Sequence, residues 1–196
     1  MKKPTLIIFA GANGSGKTTV ARALLPKVKI NEFVNADNIA FGLSPMNPTG
    51  QAMAAGRLVS KRIDELTAKG VSFAIETTLS GTAQIKKLRV AKAAGYSIEM
   101  HYIFCRDINL NIKRVKLRAK QGGHDVPVAD IRRRYWRSLK NYGMYYDLCD
   151  KIRVYDTSDG NPIEIADKCV EKLYIQFDHK RFSDFIRKII EAEDEH

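Results

Sequence analysis

The sequence predicts an α/β fold: a three-layer core of about five parallel strands with helices on both faces, and a helical, basic lid. Three observations carry that expectation. Five short apolar runs rich in β-branched residues alternate with segments of helical spacing, and such alternation calls for crossover connections and a parallel sheet covered on both sides. The first run leads directly into a glycine-rich loop, "GANGSGK". Basic residues are concentrated in one stretch, with eleven between Arg106 and Lys140 against three acidic residues.

Each element follows from its local pattern. "PTLIIFA" is apolar throughout, as expected of a strand buried on both faces. A helix from about Gly16 to Leu25 follows, ended by Pro26, which cannot donate to the helical ladder. "EFVNAD" reads as a second strand whose last residue is Asp37, and "FGLSPMNPTG", with two prolines and two glycines, as a loop. "QAMAAGRLVSKRIDELTAKG" has helical spacing and a closing Gly70. "VSFAIETT" is the third strand, carrying Glu76 at its end. An amphipathic helix, "AQIKKLRVAKAAGY", closes at Gly95, and "SIEMHYIFC" is the fourth strand. Two basic helices follow, "NLNIKRVKLRAKQGG" and "VADIRRRYWRSLKNYG", joined by "HDVP". "KIRVYDTS" is the fifth strand, "NPIEIADKCVEKLYIQF" a helix behind it, and "RFSDFIRKIIEAEDEH" a last amphipathic helix.

The spacing Gly-x-x-x-x-Gly-Lys-Thr from Gly11 to Thr18 is that of a phosphate-binding P-loop. Gly11, Gly14 and Gly16 permit positive φ, so successive backbone N–H groups can turn inward around one anion. A helix starting near Lys17 adds its positive end, Lys17 can reach the β- and γ-phosphates, and the Thr18 hydroxyl suits Mg²⁺. The candidate nucleotide-binding segment is Gly11, Ala12, Asn13, Gly14, Ser15, Gly16, Lys17, Thr18 and Thr19. It implies ATP or GTP as co-substrate and a P-loop NTPase core.

With 196 residues, 44% apolar and 28% charged, the chain suits one soluble domain over 1–196: a core over about 4–157, a lid over about 109–142 and C-terminal helices over about 162–191. No apolar run is long enough for a membrane helix, and the short run behind Met1-Lys2-Lys3 passes into the phosphate loop, so no membrane partner and a cytoplasmic protein are expected. Cys105, Cys149 and Cys169 form no Cys-x-x-Cys pair and read as small core residues in a reducing compartment. The net charge of +11 points to an anionic partner, nucleotide, small molecule or nucleic acid.

In parallel sheets ligands collect beyond the C-terminal ends of the strands. Asp37 and Glu76 fall there. Phosphoryl transfer gains from one carboxylate that takes the proton of the attacking hydroxyl and another that holds Mg²⁺ or its waters. Asp37 could equally be a turn or capping residue, and Thr78 could bind substrate or cap the helix starting near Thr82. Gly122 and Gly123 permit hinge motion in the lid, whose arginines, with Arg118, Arg133 and Arg134 as the candidates, could fold over a triphosphate. His101 and His124 read as structural.

The motifs "GANGSGKTT", "FVNADNIAFGLSP", "FAIETTLSG" and "GGHDVPVADIRRRYWRSLKN", in this order over about residues 4–157, resemble the small zeta toxin-like P-loop kinases. The resemblance implies ATP- or GTP-dependent phosphorylation of a small anionic acceptor, a UDP-activated amino sugar in the better-known toxins, with an antitoxin protein as partner. It implies Lys17 and Thr18 as phosphate and magnesium contacts, and Asp37 as the base on the substrate hydroxyl. Glu76 and Thr78 would stand beside magnesium and substrate, and Arg118, Arg133 and Arg134 in the lid. Two other readings fit the residues. One is a kinase or ATPase acting on nucleic acid, with Tyr135, Trp136, Tyr142, Tyr145 and Tyr146 as stacking surfaces if they do not pack the lid onto the core. The other is a nucleotide-binding partner protein without transfer chemistry.

Overall fold

The computed structural model describes residues 3–169, 186, 187 and 191. Its centre is β1 (Thr5–Ala10), whose side chains alternate between the two faces of the sheet. Leu6, Ile8 and Ala10 belong to one apolar cluster, Ile7 and Phe9 to the other. A run with no polar residue is what a strand needs when neither face meets water.

The sheet has six strands in the order β2-β3-β1-β4-β5-β6. β2 (Glu32–Asn35), β3 (Phe73–Thr77), β1, β4 (Ser97–Phe104) and β5 (Lys151–Asp156) pair in parallel, with Ile8 opposite both Ile75 and Met100. The chain steps from β1 outward to β2, returns to β3, and then crosses β1 to reach β4. Strand order therefore reverses at β1, which opens a crevice at its C-terminal end.

Helix α1 (Lys17–Val28) covers one face through Val20, Ala21, Leu24 and Leu25. On the other lie α3 (Ala52–Ala68), α4 (Ala83–Ala93) and α6 (Val128–Tyr146), seated on Ile63, Leu88, Leu139 and their neighbours. α2 (Ala36–Leu43) and a 3-10 turn at Thr49–Gln51 lead into α3. α5 (Ile108–Lys120) and α6 share a small cluster of their own, Ile112, Val115, Val126 and Ile131. The expected aromatic packing is present: Tyr135, Tyr142 and Tyr145 are buried, and Trp136 and Tyr146 pack against the same core.

Three local expectations are corrected. α1 continues past Pro26 to Val28, because a proline in the last turn forfeits one hydrogen bond and the turn survives on its neighbours. The second strand stops at Asn35, whose side chain caps the next helix, so Asp37 stands in the first turn of α2 and Phe41–Leu43 are helical rather than loop. "IEIADKC" forms β6 (Ile163–Cys169), antiparallel to β5, where a helix was expected. A hairpin needs only a short turn, and "SDGN" supplies one with Gly160 at φ 101°. The rest of the expected C-terminal helices lies outside the described residues, save 186, 187 and 191, which are helical. Gly122 and Gly123 stop α5 as expected: Gly122 has φ 83°, and Gly123 N–H bonds Arg118 O at 3.0 Å.

Candidate active site

The loop between β1 and α1 is held by close backbone contacts that only glycine allows. A Cβ on Gly11 would stand 2.1 Å from the Ile103 carbonyl oxygen, and one on Gly14 would stand 2.4 Å from that of Asn111. Both have positive φ, as does Gly16, the residue before the first turn of α1. The loop is further tied down by Asn111 Nδ2, which donates to Asn13 O at 2.8 Å, and by Thr157 Oγ1, which donates to Ser15 O at 2.8 Å. Arg114 in turn donates to Thr157 O at 2.6 Å. Ser15 Oγ is buried without a partner, an unmet hydrogen-bonding group beside the loop.

Lys17 is buried and curls back over this loop, donating from Nζ to Ala12 O at 2.9 Å. Its pKa is pushed below the usual lysine value by burial, against the opposing pull of Glu76 and Asp37; the positive charges of Arg118 and Arg134 act with burial. Glu76 Oε1 lies 3.9 Å from Lys17 Nζ, while Oε2 accepts from Thr18 Oγ1 at 2.9 Å and from Asn35 Nδ2 at 2.8 Å. Thus β2, β3, α1 and the loop behind β1 each contribute to one polar knot at the strand ends. Thr18 and Glu76 form a hydroxyl–carboxylate pair of hard oxygen donors, the chemistry Mg²⁺ prefers when water and phosphate complete its shell.

A cavity of about 410 Å³ opens from this knot. It is bordered by Asn13, Lys17 and Glu76 at the phosphate loop, by Asp37 and Ala40 of α2, and by Ala55, Gly56 and Val59 of α3. Thr78, Ser80 and Gly81 line it, as do His124, Asp125, Asp130 and Arg134 from the lid. The loop after β3 is shaped from behind. Leu79 is buried at φ 53°, an unfavourable value for a side chain with a Cβ, and Asn141 Nδ2 donates to its carbonyl at 2.6 Å. Tyr145, whose hydroxyl burial pushes up to about 12, donates to Gly81 O at 2.8 Å. Thr78 and Ser80 hydroxyls bond each other at 2.8 Å and face the cavity, so Thr78 is not a cap; Thr82, which precedes α4, makes no side-chain cap either.

The structure gathers most of the residues singled out in the sequence but not all. Asp37, Glu76, Lys17, Thr78, Asn13 and Arg134 meet around one cavity. Arg134 donates to Asn13 Oδ1 at 3.3 Å and so joins lid to phosphate loop. Arg118 does not border the cavity; its guanidinium donates to His124 O at 2.9 Å and closes the turn between α5 and α6. Arg133 pairs with Asp130 at 2.7 Å and is 53% exposed, on the outer side of the lid. His101 is structural: it stacks between Phe9 and Tyr155, with Nε2 3.0 Å from Glu99 Oε1. That contact is the first cause holding the Glu99 carboxyl below its usual range. Asn35, Asn111 and Thr157 escaped sequence reading. Asn35 alone had a signal, an amide where a strand meets a helix start.

Three comparisons bear on this geometry. A family model described as an AAA domain matches residues 6–137. An uncharacterized protein of Haemophilus influenzae is 32% identical over 129 residues, covering 66% of this chain and 91% of that one. Among solved structures, the AvrRxo1-ORF1:AvrRxo1-ORF2 complex crystallised with sulphate ions is similar at a TM-score of 0.73 and 18% identity, covering 96% of this chain. The present chain spans 64% of that longer one. The same complex with ATP gives a TM-score of 0.72 at 18% identity, covering 94% of this chain and 63% of that one. The chromosomal PezAT toxin-antitoxin system of Streptococcus pneumoniae gives 0.61 at 18% identity, covering 83% of this chain and 72% of that one. These structures share the fold, a P-loop sheet with helices on both sides, and carry the sequence resemblance to zeta toxin-like kinases over to the architecture. The chain belongs to the AAA domain family and has the P-loop fold of the zeta toxin-like kinases.

Proposed function

We propose that the protein is a kinase that transfers the γ-phosphoryl group of ATP or GTP to a hydroxyl of a small molecule. One observation supports this above the others: a phosphate loop, its lysine and two carboxylates, Glu76 at the end of β3 and Asp37 in the first turn of α2, border the same cavity, and that cavity extends well beyond the phosphate loop. A protein that only bound a nucleotide as a switch would have no need of the second half.

The residues take separable roles. The N–H groups of residues 11–19 and Lys17 hold the β- and γ-phosphates. Thr18 and Glu76 would hold Mg²⁺, which shields phosphate charge when bound. Asp37 accepts the proton of the acceptor hydroxyl as its oxygen attacks the γ-phosphorus. The new O–P bond forms as the bond from phosphorus to the β–γ bridging oxygen breaks, and the nucleoside diphosphate leaves with that electron pair. Arg134, and Arg118 from farther away, offset charge on the moving phosphoryl group. Thr78 orients the acceptor. Arg133, turned outward, would need the lid to move before it took part. An antitoxin, by the likeness to the PezAT system and the AvrRxo1 complex, would act by occluding this cavity.

The finer sequence reading, an anionic acceptor such as a UDP-activated amino sugar, enters the assay as one substrate among several. Nucleic acid enters as another, although the aromatic residues that motivated it pack into the core. Purified protein is incubated with γ-labelled ATP or GTP, Mg²⁺ and these acceptors. Label on any small molecule, lost in Lys17→Ala, supports the proposal. Label released only as inorganic phosphate, or moved only to RNA or DNA, would overturn it.

A further inference from the structure

The excess positive charge of the chain does not reach the acceptor side of the cavity. Among the described residues three permanent cations border the cavity, and each is already engaged. Lys17 bonds Ala12 O and neighbours Glu76. Arg134 bonds Asn13 Oδ1 and lies 4.0 Å from Asp130. Lys87 reaches away to Asp64, with Nζ 2.7 Å from Oδ1. Two of these belong to the phosphate end and the third is neutralised.

Carboxylates on the same wall are less well matched. Among the described residues, neither Asp37 nor Asp125 has an ion-pair partner; Asp125 Oδ1 accepts only from Val126 N–H, at 2.8 Å. The same cavity is lined by small and apolar residues, Ala55, Gly56 and Val59, and by Thr78 and Ser80. An anion seated there would face two carboxylates without an ion-pair partner, Asp37 offset only by the more distant charge of Lys17, with no unengaged cation among the described residues bordering the cavity, and in a partly desolvated cavity that repulsion is poorly screened. Hydroxyl groups or an ammonium would find acceptors.

We infer that the acceptor enters this half of the cavity without negative charge, as a neutral polyhydroxylated compound or its amino derivative. The inference rests on the kinase reading for its chemistry, with the hydroxyl as the attacking group, but its charge argument stands on the cavity alone. Of the basic residues in the lid stretch, Arg118 and Arg134 then serve the triphosphate and Arg133 the outer surface.

Two measurements, both at pH 8, separate the two ideas. In the first, labelled transfer is compared among glucose, glucosamine, glucuronate and UDP-N-acetylglucosamine. Label on glucose or glucosamine, with none on the two anions, is expected. Label on an anion alone would overturn the charge assignment and leave the kinase standing. In the second, the same four probes are titrated into protein loaded with Mg²⁺ and a non-hydrolysable ATP analogue, in the wild type and in Asp125→Lys, with binding read by calorimetry. This readout needs no turnover. The neutral or amino probe should bind the wild type more tightly than glucuronate by about tenfold or more, and Asp125→Lys should narrow or invert that preference. Preferential binding of glucuronate or the UDP-sugar by the wild type would overturn the inference even if no transfer occurs, whereas failed transfer with the expected binding order would count against the kinase reading alone.

Discussion

The two ends of the cavity are built differently. At the phosphate end almost every group is tied: Lys17 to Ala12, Glu76 to Thr18 and Asn35, Asn13 to Asn111 and Arg134. Gly11 and Gly14 there leave no room for a Cβ. At the acceptor end the wall is Ala55, Gly56 and Val59, and a Cβ on Gly56 would meet nothing within 4 Å. The first end recognises a ligand whose shape is always the same, a triphosphate, so rigidity costs it no versatility. The second end is shaped by what it leaves empty, and its specificity resides in volume and charge.

That contrast can be broken or sharpened by substitution. The largest effect belongs to Lys17→Ala, which removes the lysine of the phosphate loop and should lower transfer on the order of 10²–10³-fold or more, measured as kcat/KM for labelled ATP. Asp37→Asn keeps the shape and removes the proton acceptor, so kcat should fall about 10²–10⁴-fold. Gly56→Leu places a side chain in the empty part of the cavity. Acceptor KM should rise about tenfold or more, while apo stability rises by about 1 kcal/mol because glycine is a poor residue inside α3. A thermal melt beside the kinetic assay distinguishes this from damage to the fold.

Smaller effects test the phosphate end as a structure. Asn35→Ala removes both the cap of α2 and a hydrogen bond to Glu76, and should cost about 1–2 kcal/mol in denaturant unfolding. The pH dependence of Lys17 is subtler. Its folded pKa lies below 10.5 because burial disfavours the charged form. Between the folded and unfolded pKa values the unfolded chain holds a proton that the folded chain has released, so stability rises with pH across that window. Below the folded pKa the full cost is present. Lys17→Met should therefore melt at a higher temperature than the wild type without nucleotide, and the gap should narrow as pH rises toward 10.5.

How much of this was legible in the sequence follows the same division. The phosphate loop is a contiguous segment whose chemistry depends on local backbone freedom, so Gly11 to Thr19 could be read directly. Glu76 was legible because a carboxylate behind "FAI" is costly unless it has a partner, and the structure supplies Thr18, Asn35 and Lys17. Asn111 and Thr157 were not legible: each acts on the loop across a large separation in sequence, and their neighbours carry no pattern that says so. The second strand was drawn two residues too long because Asn35 belongs to strand and cap at once. β6 was taken for a helix because alternating strands and helices suggested another crossover, although Ile163 and Ile165 in "IEIADKC" already show the two-residue period of a strand. Net charge was the least local cue. A net +11 is a property of the whole chain, and the cavity wall around Asp37 and Asp125 does not share it.

The central claim is that the two ends work independently, one for the nucleotide and one for the acceptor. Calorimetric titration of Mg²⁺ and a non-hydrolysable ATP analogue into the wild type, Asp37→Asn and Gly56→Leu tests it directly. Nucleotide Kd should stay within about twofold across the three proteins while transfer falls in both variants. A loss of nucleotide affinity parallel to the loss of transfer would show one undivided site and contradict the account.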